Sequence, residues 1–431
     1  MRAMKIWNLW FSFPPIDFYL DIMQNKDFST LAERFGTPLF VYDGDLLLER
    51  YADLHRFIPH PRLMIHYALK ANFNPGFLGL LRDAGCGIDA VSPGEVEYAL
   101  HLGFAAEKII YTANNMTDEE FEKVAKTGVV MNIGELSRLR KAGKAHPGMS
   151  VCLRFNPDVT DGDNIRTMTG GDLTKFGILL EDIGEVLSIV REYNLKVVGL
   201  HEHTGSGIQK PESFHAAMKA LMSIATPENF PDLEFMDFGG GFKVPYMPDE
   251  ARIDYVTLGA GITERFCEFE KKYGRELCIK FEPGKFLSAE CGTLLTRVNT
   301  LKRNRKRLIA GTDSGFPHLI RPVLYGAYHQ VFNLTNPEGK EEVYDICGNI
   351  CETGDRFAEQ RPMPEIREGD LLGIANAGAY CYSMGGIYNL RAMPGEVVVK
   401  GGKVISHRRR VTDSELIADI TRTTESCDMV L

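Results

Sequence analysis

Short apolar runs alternate with amphipathic segments along the chain from about residue 37 to residue 285. The apolar runs are typical of buried strands, whereas apolar residues at three- and four-residue spacing between them are typical of helices. Eight strands alternating with helices over about 250 residues predict a (β/α)8 barrel. The strands are predicted at Leu63–Ala68, Gly87–Val91, Lys108–Tyr111, Val129–Asn132, Ser150–Phe155, Lys196–His201, Phe235–Phe238 and Cys278–Phe281. The clearest helical segments are Pro93–Leu102, Thr117–Thr127, Ile133–Ala145, Leu180–Tyr193 and Glu212–Ser223.

The pattern changes after about residue 290, where strand-like runs are separated by Gly, Pro and Asp turns. These runs predict a second, mostly antiparallel β domain, such as a barrel or sandwich. The strand Pro38–Tyr42 precedes the barrel and is expected to pair into this second domain, and a helix is predicted at Ser414–Arg422. The runs after residue 290 are Gly292–Leu301, Arg307–Thr312, Glu342–Cys347, Asp370–Ile374 and Glu396–Lys400.

Four segments follow from these patterns: an extension over 1–26, a strand and helix associated with the β domain over 27–44, the barrel over 45–288, and the β domain over 289–431. The extension contains the aromatic stretch Ile6–Phe13 followed by Pro14 and Pro15. It lacks the long apolar run and cleavage site of a signal peptide, and we expect it to be disordered. Because regular patterning begins just after Met23, a translation start there is a hypothesis that mass spectrometry of the native protein can test.

The composition is that of a soluble globular protein, with 49 basic and 58 acidic residues in 431 and a net charge of −9. This charge excludes a long-range attraction to nucleic acid or to an anionic membrane, and no apolar run approaches the roughly 20 residues that span a bilayer. The nine cysteines are odd in number and contain no CxxC pair, which favours reduced thiols in the cytoplasm. Cys347 and Cys351 are not followed by further ligands at zinc spacing, so no metal is predicted.

Polar and glycine-rich clusters follow four of the predicted barrel strands, at the end where barrels place their active sites. Lys70 follows the first of these strands; a lysine there is costly unless it is paired or used covalently, and it can form an imine with a carbonyl group. The pair His201 and His203 suits either a metal or an imidazole stacked on a flat ligand. Gly239–Gly241 can present backbone N–H groups to a phosphate. Glu282 is a buried carboxylate that needs a partner, such as a protonated pyridine.

Together these residues resemble the fold-type III pyridoxal-phosphate (PLP) enzymes, the alanine racemase-like barrels. More narrowly, they are similar to the diaminopimelate/ornithine/arginine decarboxylase group. The resemblance covers about residues 27–400, whereas the first 22 residues have no recognised counterpart. It is carried by YALKAN (67–72), HxHxGSG (201–207), DFGGGF (237–242), EPGK (282–285), RPVLYGAYH (321–329), CETGD (351–355) and AGAYCYSM (377–384), with KFGI (175–178) as a further element.

The resemblance implies a role for each motif. Lys70 would hold PLP as a Schiff base with Asp89 nearby, His203 would stack on the ring, and Glu282 would pair with the ring nitrogen. Cys351 and Glu352 would reach into the active site of a partner subunit in a homodimer, and Cys351 or Lys70 would protonate the α-carbon after carbon dioxide leaves. The phosphate would be held by Ser206, Gly239, Gly240, Gly241 and Tyr380.

Substrate choice depends on fewer residues. Lys285, Arg321, Tyr325 and Tyr380 suit a distal carboxylate, and Glu352 could hold a distal ammonium, whereas ornithine decarboxylases typically have Asp after the cysteine. A substrate with a second amino-acid head is therefore favoured, as in the diaminopimelate branch of the group, which converts meso-diaminopimelate to L-lysine. The group usually has Arg where Lys285 stands, and Lys lacks the bidentate fork. Glu202 also replaces a small or apolar residue, so carboxynorspermidine, ornithine and arginine stay open as substrates.

Three other interpretations compete with a decarboxylase. An amino-acid racemase would share the barrel and Lys70, but it would use a tyrosine as second base and would not need CETGD. A non-catalytic PLP-fold regulator would tend to lose Lys70 or Cys351, and both are present. A barrel without a cofactor would leave Lys70, Glu282 and the glycine loop without a purpose.

Overall fold

The computed structural model describes residues 27–172 and 174–422. The expectations about an extension over 1–26 and a start at Met23 lie outside these residues. The described chain forms two nine-stranded sheets, one parallel and closed, the other mixed. The fold class expected from the sequence is confirmed.

The parallel sheet is a closed eight-stranded barrel with one short addition. Its strands lie in the order β5-β4-β3-β2-β10-β9-β8-β6, and pairing of β5 with β6 closes it. Most of its residues are buried, because a parallel sheet is covered by its own side chains inside and by helices outside. The short strand β7 (Ile178–Leu179) pairs with β6 at the side. The barrel strands are β2 Leu63–Ala68, β3 Gly87–Ala90, β4 Ile109–Tyr111, β5 Val130–Ile133, β6 Ser150–Asn156, β8 Lys196–His201, β9 Phe235–Asp237 and β10 Cys278–Phe281.

Helices follow the barrel strands, and side-chain caps mark several of their starts. Asn74 accepts hydrogen bonds from the N–H groups of Gly76 and Phe77 at the start of one helix, and Ser92 accepts from Glu95 at the next. The predicted start at Ile133 is wrong, because Ile133 ends strand β5 and the helix begins at Leu136. The helices are α1 Phe28–Phe35, α2 Gly44–Phe57, α3 Pro75–Asp83, α4 Pro93–His101, α5 Asp118–Ala125, α6 Leu136–Ala145, α7 Ile183–Glu192, α8 Pro211–Ile224, α9 Tyr255–Tyr273, α10 Lys285–Ser288, α11 Arg321–Tyr325 and α12 Asp413–Arg422.

The second sheet joins the start of the described chain to its C-terminal part. Its main order is β15-β14-β12-β11-β1-β17-β18, while β16 pairs with β11 and with β13. Strand β1 pairs with β11 and β17, as expected for the strand that precedes the barrel. The β1–β17 and β12–β14 pairings are parallel, and the others are antiparallel. The strands are β1 Leu39–Asp43, β11 Gly292–Asn304, β12 Arg307–Thr312, β13 Val331–Asn333, β14 Glu341–Cys347, β15 Arg356–Pro364, β16 Leu371–Ile374, β17 Gly395–Lys400 and β18 Lys403–Arg408.

A loop of the second sheet is tied to the turn that follows the first barrel strand. The N–H group of Tyr380 donates to the carbonyl of Ala71 at 2.8 Å, and the Asn72 side chain donates to the carbonyl of Gly378 at 3.0 Å. These bonds hold Tyr380 over the carboxyl ends of the barrel strands. The second sheet therefore supplies part of the wall above the barrel.

A search of the described residues for a helix long and apolar enough to cross a membrane found none.

Candidate active site

Lys70 lies in a short turn directly after strand β2, and its side chain points toward the neighbouring strand. Its Nζ atom lies 2.9 Å from Oδ2 of Asp89, which is itself buried near the end of β3. Burial alone would lower the pKa of Lys70, but nearby negative groups, above all Asp89, outweigh it and raise this pKa above its ordinary value. The two residues are thus an ion pair, and Asp89 Oδ2 can accept a proton from the amine.

The Lys70 side chain opens into a cavity of about 550 Å³ above the barrel. Barrel strand ends and loops form its inner side, whereas helix α11 and the loops of the second sheet form part of its rim. The cavity brings together most of the side chains that the sequence singled out. These are Lys70, Asp89, His203, Ser206, Glu282, Lys285, Arg321, Tyr325 and Tyr380.

A smaller cavity of about 40 Å³ adjoins the first beside the glycine loop, and Gly240, Gly241 and Gly284 contribute to its wall. Gly241 has a φ of +97°, a conformation that side chains disfavour. A Cβ atom on Gly284 would lie 2.7 Å from the Tyr380 hydroxyl oxygen. The absence of a side chain on Gly284 therefore keeps room beside Tyr380 in this space, which Ser206 also borders.

Gly239 does not contribute to the wall of either cavity. Its N–H group donates to Oδ1 of Asp237 at 2.9 Å, and its φ is +62°. A Cβ atom here would lie 2.6 Å from Nδ1 of His203. In this structure Gly239 shapes the loop and leaves room for His203, whereas Gly240 and Gly241 face the space beside it.

His203 and Glu282 form the inner end of the larger cavity. The Nδ1 atom of His203 accepts a hydrogen bond from the N–H group of Gly240 at 3.2 Å, which fixes the imidazole against the glycine loop. Glu282 is 7% exposed, and its Oε2 lies 3.1 Å from Nε2 of His201. Burial and then the charge of Asp89 raise the pKa of Glu282.

The other carboxylate oxygen of Glu282 carries the strongest sign of a missing ligand group. Oε1 is buried and has no hydrogen-bond partner among the described residues, although buried polar atoms are nearly always paired. A protonated ring nitrogen is a donor that would satisfy it. The cavity also holds the Lys70 amine and the imidazole of His203, and the glycine-lined space adjoins it. The residues present therefore fit pyridoxal phosphate.

The rim of the cavity carries charged and aromatic groups. Lys285 forms an ion pair with Asp163, and Arg321 lies with its guanidinium 5.0 Å from the centroid of the Tyr246 ring. Burial is the main cause that lowers the pKa of Lys285, and Asp163 opposes it. The centroid of the Tyr325 ring lies 5.7 Å from the guanidinium carbon of Arg321. Two cations and one carboxylate thus face the same part of the cavity.

Cys351 and Glu352 are not brought into either cavity of this chain. Both are exposed in a turn, where the N–H group of Cys351 donates to Oδ1 of Asn389 at 3.0 Å. The expected role of this pair in a partner subunit stays a prediction. Each cysteine that the structure describes is a free thiol.

Arg154, Asp163 and Phe176 also line the cavity, although they were not predicted as site residues from the sequence. Arg154 lies on β6 with its guanidinium 4.7 Å from the centroid of the Phe176 ring. A charged residue near the end of a buried strand was a signal for Arg154, as it was for Glu282. Asp163 lies in an irregular loop where no periodic pattern places a side chain.

The possible metal pair at His201 and His203 takes a different form in the structure. His201 is grouped with Asp237 and Glu282, and one ligand atom from each lies within 4.8 Å of the others. His203 does not belong to that group, because its Nδ1 faces Gly240. Cys347 and Cys351 belong to none of the groups found among the described residues that could hold a metal ion. The expectation that no metal is bound stays a prediction.

Glu202, the unusual residue between these histidines, is buried but does not line the cavity. Burial raises its pKa to about 8, and its Oε2 accepts a hydrogen bond from the Thr204 hydroxyl at 3.2 Å. The change at this position therefore leaves the cavity wall itself unaltered.

Comparison with known proteins agrees with this geometry. Residues 45–289 match the family model described as pyridoxal-dependent decarboxylase, pyridoxal binding domain. The chain is 40% identical to a diaminopimelate decarboxylase of Methanothermobacter thermautotrophicus, over 92% of this chain and 94% of that protein. It is 32% identical to the Aquifex aeolicus enzyme of the same name, over 95% of this chain and 97% of that protein.

Solved structures agree as well. A diaminopimelate decarboxylase from Helicobacter pylori, complexed with L-lysine, superposes with a TM-score of 0.83 at 27% identity, covering 92% of this chain and 100% of the other. A diaminopimelate decarboxylase from "m. jannaschii", also in complex with L-lysine, superposes with a TM-score of 0.81 at 29% identity, covering 93% of this chain and 94% of the other. The family resemblance and the expected cofactor are confirmed. The chain belongs to the pyridoxal-dependent decarboxylases and, within them, to the diaminopimelate decarboxylases, which use pyridoxal phosphate.

Proposed function

We propose that this chain converts meso-diaminopimelate to L-lysine and carbon dioxide, with pyridoxal phosphate bound through Lys70. The observation that carries the proposal is the joint placement of the Lys70 amine and the unpartnered Oε1 of Glu282 in one cavity. An amine that can form an imine and a carboxylate that can hold a pyridinium are the two ends of one cofactor site.

The proposed cofactor contacts follow from the two cavities. Lys70 would hold the cofactor at its aldehyde carbon, Glu282 would pair with the ring nitrogen, and His203 would stack on the ring. Asp89 stays beside the lysine. When bound, the cofactor supplies the electron sink for breaking the bond to the carboxylate. The phosphate lies among Ser206, Gly240, Gly241 and Tyr380, and Gly239 shapes the loop that presents them.

Asp89 and Lys70 would transfer a proton between them when the cofactor is loaded. The Lys70 ammonium must lose one proton before Nζ can bond to a carbonyl carbon. Asp89 Oδ2, at 2.9 Å, is the acceptor within reach. At the inner end, Glu282 stays anionic so that the ring nitrogen keeps its proton, which stabilises the negative charge that develops as carbon dioxide leaves.

The rim is proposed to select the substrate. Lys285 and Arg321 hold the distal carboxylate of meso-diaminopimelate, and Tyr325 and Tyr380 line its path. Two cations facing one part of the cavity support this assignment, because a partly buried carboxylate needs cationic partners. A substrate with a distal amine alone would bring a third cation next to Lys285 and Arg321, which is unfavourable.

Cys351 and Glu352 are proposed to act in the active site of a partner subunit, within a cytoplasmic homodimer. Cys351 of the partner subunit would protonate the α-carbon, and Glu352 of the partner subunit would bind the distal ammonium. The exposure of this turn outside both cavities of its own chain supports a role across an interface. Free thiols support a reducing compartment.

The proposal is tested by adding meso-diaminopimelate to protein reconstituted with pyridoxal phosphate and measuring carbon dioxide and lysine. Equal amounts of both are expected, with none from the Lys70→Ala variant. Turnover with ornithine, arginine or carboxynorspermidine but not with diaminopimelate would reject the substrate. Inversion of the substrate's stereochemistry without carbon dioxide would identify a racemase instead.

A further inference from the structure

Three titratable side chains meet beneath the inner end of the cavity: His201 on β8, Asp237 on β9 and Glu282 after β10. His201 and Asp237 are fully buried and are paired residues on adjacent strands. One nitrogen of His201 and one oxygen from each acid lie within 4.8 Å of one another. Water has little access here, so these groups must satisfy one another or a ligand.

Each of the three residues has one buried atom that lacks a hydrogen-bond partner among the described residues. These atoms are Nδ1 of His201, Oδ2 of Asp237 and Oε1 of Glu282. Their other atoms are engaged: Nε2 of His201 lies 3.1 Å from Oε2 of Glu282, and Oδ1 of Asp237 accepts from the N–H group of Gly239. An unmade hydrogen bond costs about 1–3 kcal/mol for each buried atom. The ring nitrogen of the cofactor would satisfy Oε1 of Glu282, so Nδ1 of His201 and Oδ2 of Asp237 still need an explanation.

The protonation states that burial favours supply a donor and an acceptor for each of these atoms. Burial lowers the pKa of His201 to about 4, so the imidazole is neutral at pH 7. Burial is the main cause that raises the pKa of both acids, Asp237 and Glu282, to about 8, so the two buried carboxyl groups do not both ionise. A cationic ring nitrogen at Oε1 of Glu282 favours the charge on Glu282 and leaves the proton on Asp237. A neutral His201 that donates from Nε2 to Glu282 has an acceptor at Nδ1, and a protonated Asp237 has a donor at Oδ2. These two atoms are not hydrogen-bonded to each other in the structure, so the relay requires a rotation of one of the two side chains.

We propose that Asp237 is a positioning residue whose carboxylic acid proton is donated to His201, which in turn donates to Glu282 and holds it as the anion facing the cofactor ring. The relay leaves Oε1 of Glu282 as the acceptor for the ring nitrogen. The two buried acids then carry a single negative charge, which lies on Glu282, while Asp237 is neutral. This inference rests on the proposed function, because it needs the ring nitrogen at Glu282.

Other charges around the cluster do not supply the missing donor. Lys280, next to Asp237 on the adjoining strand, lies with its ammonium 3.6 Å from the centroid of the Phe235 ring. Burial lowers the pKa of Lys280. Lys70 is paired with Asp89, and Arg154 lies against Phe176. The rival arrangement is an ionised Asp237 that balances Lys280, and it makes the opposite prediction for an amide at position 237.

The test compares Asp237→Asn with Asp237→Ala in holoenzyme carrying ¹⁵N in the cofactor ring. Asparagine offers an NH₂ donor to His201 and a carbonyl oxygen to Gly239, so it reproduces the proposed protonated acid. The wild type and Asp237→Asn should show the same protonated ring nitrogen and the same affinity for pyridoxal phosphate. Asp237→Ala should raise the dissociation constant by about tenfold, the effect of losing one buried hydrogen bond.

The infrared spectrum provides a second readout. A carbonyl band of a protonated carboxylic acid should be present in the wild type and absent from Asp237→Asn. Loss of ring-nitrogen protonation in Asp237→Asn, or the absence of the infrared band from the wild type, would overturn the relay. So would one equivalent of divalent metal bound by the wild type and lost in Asp237→Ala.

Failure of this inference is distinguishable from failure of the proposed function. If the wild type takes up no labelled cofactor, the proposed function itself is wrong. If the wild type binds the cofactor with a protonated ring nitrogen and Asp237→Asn does not, only the relay is wrong. Thermal melting of each holoenzyme identifies a variant that does not fold, and the Asn variant then carries the test.

Discussion

The inner end and the rim of the cavity are built in different ways. At the inner end, Lys70, Asp89 and Glu282 leave the ends of barrel strands, and the two acids are buried and packed against other charged groups. At the rim, Arg321 comes from the second domain and Asp163 from a loop. The inner end is thus defined by one barrel, whereas the rim is assembled from separate elements. The common chemistry is expected at the inner end and substrate choice at the rim.

The largest effect is expected from Lys70→Ala, which removes both the cofactor bond and a proton carrier. Turnover should fall by about 10⁴-fold or more. The decarboxylation rate with meso-diaminopimelate measures this loss. Lys219→Ala, at an exposed position on helix α8, is the matched control and should retain full activity. Activity retained by Lys70→Ala would show that the reaction does not require Lys70.

A smaller loss is expected from Glu282→Gln, which keeps the shape of the side chain but removes its charge. The kcat should fall by about 10²- to 10³-fold, because the ring nitrogen loses the anion that stabilises its proton. The KM should change much less, since the rim is intact. Glu276→Gln, at an exposed carboxylate before strand β10, is the control. An equal rise in KM with no change in kcat would place Glu282 among the substrate contacts instead.

Cys351→Ala tests whether the rim is completed by a second chain. This change should lower kcat by about 10²-fold through loss of a general acid. Mixing inactive Lys70→Ala subunits with Cys351→Ala subunits should then restore about a quarter of the wild-type activity, because half of randomly formed dimers contain one intact shared site. Activity that does not rise on mixing, while mixed dimers are detected by mass, would confine each site to one chain.

Lys285 tests the charge of the rim. Lys285→Met should raise the KM for meso-diaminopimelate by about 10- to 100-fold, because a charged hydrogen bond to the distal carboxylate is lost. Lys285→Arg should stay much closer to the wild type, since it keeps the charge. Cofactor affinity, measured separately, shows whether the phosphate is affected as well. Equal KM values for the Met variant and the wild type would exclude Lys285 from substrate binding.

The last effect is measured on stability and not on turnover, and it concerns the inner end after removal of the cofactor. Burial, then Glu282, raises the pKa of Asp237 from its ordinary value of 3.8 to about 8. The stability from this proton is complete below the unfolded pKa and is lost as pH rises through the folded one. Between pH 5 and 8, Asp237→Asn should therefore gain stability relative to the wild type by about 1 kcal/mol per pH unit. Denaturant unfolding measures this, with exposed Asp232→Asn as the control, and a pH-independent difference would contradict it.

The same contrast explains how much could be predicted from the sequence. Strands such as Leu63–Ala68 and Cys278–Phe281 were placed correctly because buried strands have a strong apolar pattern, and the residues that follow them fall at a known end of a barrel. Lys70 and Glu282 could therefore be brought together from the sequence. The short strand Val331–Asn333 was missed because three residues carry almost no periodic signal.

Loop-borne residues could not be placed in this way. Asp163 pairs with Lys285 across a sequence separation of 122 residues, and nothing local in the chain predicts that contact. Asp237 was seen only as the residue before a glycine run, because its importance depends on the buried neighbours His201 and Glu282. Cys351 lies outside both cavities, and its proposed role depends on a second chain.

The central claim is that the amine at position 70 forms the bond to the cofactor. Borohydride reduction of the holoenzyme followed by peptide mapping tests this most directly, because reduction fixes the cofactor to the lysine that holds it. The label is expected on Lys70 alone. Lys285 lines the same cavity, so a label on Lys285, or the same labelling of Lys70→Ala, would contradict the account.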